Sequence, residues 1–195
     1  MLRHRRDLQS VFYLLAQPTL VVLMWQGYAV MSTIVWALAY ALLIFLCIAL
    51  SAVHHNHAHY RLWKNKYANR ICDHYISLLQ GHPSFVFYAS HNAIHHRYHH
   101  GPQDLTRTYR FGADSNHLPG FLIHPLQATW VLYPVFIRWI RRLWRGQPKV
   151  CLYYLSQYLW LLLLWAGAVW LQPPREACEE FQDLDGASSR SPIRS

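Results

Sequence analysis

The sequence predicts an all-α integral membrane protein with about three transmembrane helices, plus interfacial helices carrying histidine clusters on the cytoplasmic side. Two apolar runs and one asymmetry of charge carry that prediction. Leu8 to Val53 is a run of 46 residues without a charged side chain, and Val150 to Leu171 is a second apolar run containing LWLLLLWAGAVWL. A membrane helix needs about 20 apolar residues at 1.5 Å rise each, so the first run fits two spans and the second fits one. The chain carries 18 Lys+Arg against 9 Asp+Glu, and twelve of those cations lie between the two runs. With 53% hydrophobic residues in blocks, disorder is excluded. The length of 195 residues suits one domain.

The first span is expected near residues 9–28, with Pro18 kinking it, which a membrane helix tolerates. Gln26-Gly27 supplies the turn. A cleaved signal peptide does not fit, because the apolar stretch is too long and a second follows at once. The second span is expected near 31–53 and the third near 150–171. Lys and Arg near span ends mark the cytoplasmic face. Arg3, Arg5 and Arg6 at the N-terminus and the basic segment 54–149 meet that criterion together, since two spans return the chain to its starting side. The third span then carries the acidic tail across. Residues 1–171 therefore read as one membrane domain, and the Ser-rich, Pro-Pro-led tail 172–195 as atypical and disordered.

Between the spans, residues 71–90 are apolar but broken by Gly81-His82-Pro83, the pattern of an interfacial or re-entrant segment. Residues 121–145 end in RWIRRLWRG after several aromatic residues, which suits a helix lying at headgroup level. With its neighbours in the membrane, a nucleic-acid groove is excluded. Cys47, Cys72, Cys151 and Cys178 form no CxxC pair and read as small apolar residues.

Nine of the fourteen histidines fall in two clusters. In HHNHAH, His55 and His59 are four apart and share a helix face; His54 and His57 lie on another face and are expected to make supporting or headgroup contacts. In HNAIHHRYHH, His91, His95 and His99 form one stripe, with His96 and His100 on a parallel stripe about 100° round. Imidazole suits Zn, Cu, Fe and Ni, so spacing alone does not name the metal. No Glu precedes Glu176, which excludes the Glu-x-x-His pairs of soluble di-iron bundles.

An H-x3-H box after a membrane hairpin, then His91-NAI-His95-His96-Arg97-Tyr98 with Asp104 downstream, resembles the integral-membrane fatty acid desaturases over about residues 30–145. The resemblance implies two iron ions held by histidines. It further implies O2 activation with electrons from a ferredoxin- or cytochrome b5-type donor, and removal of hydrogens from a lipid or fatty acyl chain. Carried over by position, His55 and His59 match the first box and His91, His95 and His96 the second; His99 and His100 are additional candidate ligands. Related membrane hydroxylases and ketolases use similar boxes, and a His-rich metal-binding or transport protein is the alternative of another class. The third box of the family, H-x2-HH, is missing, since no histidine follows His124. The expectation is therefore a truncated or frame-shifted, incomplete enzyme, in which residues 172–195 are not native family sequence.

Overall fold

The computed structural model describes residues 1–27, 29–99, 101, 103–106 and 118–171. Among these the chain is all-α: α1 (Leu8–Gly27), α2 (Thr33–His59), α3 (Lys66–Gln80), α4 (Phe85–Phe87), a π-helical segment (Tyr88–His95), α5 (His96–Tyr98), α6 (Leu118–Gly146) and α7 (Pro148–Trp170). The one extended pairing among the described residues is an isolated antiparallel bridge between Leu2 and Trp63. Helices α1, α2 and α7 are long and apolar enough to cross a membrane, with α2 the most apolar at a mean hydropathy of 2.6.

Helices α1 and α2 form an antiparallel hairpin. The Gly27 carbonyl accepts from the amides of Val30 and Met31 to close the turn, and Ser32 caps α2 by accepting from the Val35 amide. Pro18 removes one rung of α1 by lacking an amide hydrogen, which leaves the Leu14 carbonyl without its helical donor. The hydroxyl of Tyr75 on α3 donates to that carbonyl at 2.9 Å. The kink-prone point of the first span is thus pinned from outside. Leu14, Leu50, Val53, Leu62, Cys72 and Ile76 form the buried core joining α1, α2 and α3, whereas Leu38 and Ile48 stay largely exposed on α2, as a lipid-facing surface requires. Burial pushes the Cys72 thiol up to about 12, so it is an apolar filler.

Helix α2 runs six residues beyond the expected end of its span. No Gly or Pro interrupts Ala52 to His59, and the helix stops only where Tyr60 turns extended. The first histidine cluster therefore rides on the last turns of the membrane helix itself. Helix α3 ends at the expected Gly81, whose left-handed φ of 71° suits glycine.

A polar network then locks the ends of α2, α3 and α7 together. Asp73, almost fully buried, accepts two bonds from the Arg61 guanidinium (2.7 and 2.9 Å) and one from the Tyr153 hydroxyl (2.6 Å). His57 accepts the Leu62 amide on Nδ1, which puts its proton on Nε2, 3.3 Å from Asp73 Oδ1. Burial opposes ionisation of Asp73, yet the bonds from His57 and Tyr153 and the charge of Arg61 outweigh it and hold the carboxyl below its usual range. Four residues along α3, Ser77 donates to Gln157 of α7, whose Oε1 also receives the Ser84 hydroxyl and the Phe85 amide. These bonds fix where the chain restarts as α4, and so where the second histidine cluster begins.

Candidate metal centre

The two clusters meet. His55 and His59 project from the end of α2 toward His91 of the π-helical segment, and one ring nitrogen from each lies within 4.8 Å of the others. The closest pair is His55 Nε2 and His91 Nε2 at 3.1 Å. His96 adjoins them, its Nε2 3.3 Å from His59 Nε2.

The local backbone explains why His91, His95 and His96 converge. Residues Tyr88–His95 adopt the wide π turn, in which the amide of residue i+5 bonds the carbonyl of residue i; His96 donates to the His91 carbonyl in this way. The wider turn carries His96 back over His91, ring centroids 4.7 Å apart, while His95 stacks on His91 at 5.1 Å. A regular α-helix would leave His96 on the separate stripe expected from the sequence. The expected i+8 extension also ends early. His99 takes a left-handed φ of 40°, terminates the helix, and is exposed with its ring 6.3 Å from that of His96. His100 lies outside the described residues.

His95 is oriented by a buried carboxylate. Its Nδ1 is 2.8 Å from Asp104 Oδ2, and Asp104 Oδ1 receives the backbone amide and hydroxyl of Thr106 at 2.9 and 2.6 Å. A proton held on Nδ1 puts the lone pair of His95 on Nε2, the carboxylate–histidine arrangement that accompanies metal ligands. Asp104 was visible in the sequence as part of the second box. Thr106 was not singled out, although Asp-x-Thr is the spacing of a side-chain turn on the backbone.

Phe87 is the other residue that sequence reasoning missed. Its ring packs on His91 at 4.6 Å and edge-on to His55 at 5.6 Å, forming an apolar wall to the triad. Its position four residues before His91 was the available signal. The π-helical segment is tied to α2 by Asn92, whose side-chain amide donates to the Ala58 carbonyl. His54 and His57 do not join the cluster. His54 is buried between Gln80 and the Ser84 carbonyl, and His57 belongs to the Asp73 network.

These donors fit a transition-metal ion. Two imidazole nitrogens on one metal, each at roughly 2.1 Å, lie at most about 4.2 Å apart; closing the widest 4.8 Å gap takes only a small side-chain rotation. Burial, and then the neighbouring His55, His96, His95 and His59, push His91 down to about 4. It therefore presents a neutral ring with a free lone pair at neutral pH. The set is all imidazole at its centre, a chemistry suited to Fe, Zn, Cu or Ni.

No curated protein and no solved structure is matched by the chain. Residues 30–175, which contain both histidine clusters and most of the chain, match the family model described as fatty acid desaturase. With three helices able to span a membrane and a histidine triad at the end of the second, the chain belongs to the fatty acid desaturase family.

Proposed function

We propose that this chain is a fatty acid desaturase-type, O2-dependent oxidoreductase acting on a lipid acyl chain, with iron held by its histidines. The observation that carries the proposal is the triad of His55, His59 and His91, drawn from two separate elements to within one metal-binding distance. These three would hold one ion. His95 and His96, with His99 and His100 as further candidates, would hold a second. When bound, the iron supplies the activation of O2 and the removal of hydrogen from an unactivated acyl chain, using electrons from a ferredoxin- or cytochrome b5-type donor.

The chain's own residues would do the positioning. Asp104 keeps the His95 proton on Nδ1, and Phe87 shields the triad from water. A cavity of about 1010 Å³ lies between the start of α1 and the C-terminal half of α2, apolar along Phe45, Ile48, Ala52 and Val53 and polar at its other end, where Arg5, Arg6 and Asp7 line it. It supports a role for the hairpin in admitting an acyl chain beside the helix that bears the triad. The N-terminus and both clusters belong on the cytoplasmic side, as the basic residues around them indicate. Residues 1–171 act as one membrane domain.

The test is O2 uptake by membranes containing the protein, supplied with lipid and a reductase system, alongside the iron content of the purified protein. Iron bound with lipid-dependent O2 consumption supports the proposal. Metal affinity without O2 consumption sinks it in favour of a metal-binding or transport role.

A further inference from the structure

A second site shares none of the candidate metal-ligating histidines. A cavity of about 580 Å³ is lined by Arg3, Lys64, Lys66, Arg70 and Lys149, together with Arg61, Asp73 and the tyrosines Tyr153 and Tyr154. Asp73 is committed to Arg61, His57 and Tyr153. Among the described residues no carboxylate pairs with any of the five remaining cations. Five like charges around one hollow repel one another, and the one ring contact among them in the cavity is Arg70 over Tyr153 at 5.5 Å.

Their placement sharpens the point. Lys66 is the first residue of α3 and Lys149 the second of α7, and neither helix has an acidic residue in its first turn. A cation at a helix N-terminus faces the positive end of the dipole, where an anion is favoured instead. The Asn65 side chain already caps the Tyr67 and Ala68 amides of α3, so it is the five cations that make this a place suited to negative charge. The five come from three separate stretches of chain. Arg3 is brought in by the bridge between Leu2 and Trp63 and by its amide bond to the Leu62 carbonyl.

We infer that this cavity binds the phosphate headgroup of an anionic phospholipid. It lies where α1 and α7 begin and α2 ends, the level at which headgroups lie against a protein with these three spans. Below Lys149, the exposed Leu152 and Leu159 continue down α7 as a surface for the acyl tail. The site is a cavity of headgroup size with Tyr153 and Tyr154 in its lining, a shape that receives a small headgroup rather than the face of another protein. This inference stands apart from the catalytic proposal, because no candidate metal ligand lines the cavity.

The experiment is native mass spectrometry of the full chain in neutral detergent, titrated with phosphatidylglycerol or phosphatidylcholine. Phosphatidylglycerol is expected to be retained and phosphatidylcholine lost. Each basic residue near a membrane surface contributes roughly fivefold, so K64Q/K66Q/R70Q should weaken retention about a hundredfold. K64R/K66R should preserve it, and R70Q alone should cost about fivefold if the triple variant fails to fold. Equal retention of the two lipids by the native chain overturns the inference. So does a folded triple variant that retains phosphatidylglycerol as well as the native chain, or displacement of the lipid by inorganic phosphate at equal concentration, which would mark a soluble-anion site.

Discussion

His55 and His91, 36 residues apart in the chain, bring their Nε2 atoms to 3.1 Å. Either one ring donates its proton to the other or both turn lone pairs toward a shared cation. Burial, and then four neighbouring imidazoles, keep the His91 ring neutral, so one of its nitrogens has a lone pair that a shared cation can take. The first prediction follows. His55→Ala and His91→Ala should each abolish iron binding at this centre, read as metal per protein by mass spectrometry after purification. Full occupancy in both variants would remove the assignment.

Asp104 acts on His95 through one hydrogen bond rather than as a ligand. Asp104→Ala should weaken metal binding by roughly 10–100-fold in a chelator competition, the usual cost of losing such an orienting partner. Asp104→Asn, which keeps an accepting oxygen, should lose less. Equal losses in the two variants would point to the charge rather than the orientation.

The Asp73 network is expected to govern acid stability. The carboxyl is held below its ordinary value of 3.8, so its contribution is present above that pH and fades as pH falls through the lower, folded value. Asp73→Asn should lower stability at neutral pH by about 3 kcal/mol, since the buried Arg61 pair loses its negative partner and one of its two accepting oxygens. The gap between native and variant melting temperatures in detergent should then narrow only below about pH 3.8. A gap that closes between pH 7 and 5 would assign it to another group.

Phe85 is fully buried, stacked on Trp139 of α6 and against Tyr154 of α7. It stands at the start of the stretch that leads into His91. Phe85→Ala should cost roughly 3–5 kcal/mol of stability and should also reduce metal content, measured on protein that remains folded. A destabilised variant with unchanged metal content would show that the second cluster is positioned independently of this anchor.

The orientation has its own test. The bond from the Arg3 amide to the Leu62 carbonyl joins the N-terminus to the chain just beyond the first histidine cluster, so the two share a side. Reporter fusions at the N-terminus and after Gly101 should both read cytoplasmic, and one at residue 190 should read on the opposite side. A cytoplasmic signal at residue 190 as well would overturn the three-span arrangement.

Local periodicity and composition made much of this protein legible before any coordinates. The charge-free run from Leu8 to Val53 announced a helical hairpin because a bilayer leaves an uncharged chain few other solutions. The four-residue step from His55 to His59 declared a shared face because helix geometry is local. Tertiary structure alone decided the rest. The π turn that draws His96 over His91 depends on where Ser84 and Phe85 are held by Gln157, 72 residues or more further along the chain. Neither the diversion of His57 into the bonds of Asp73 nor the wall made by Phe87 follows from spacing. Side chains of one type look alike along a sequence, and only packing against distant elements separates the histidines that face one another from those that hold the helices together.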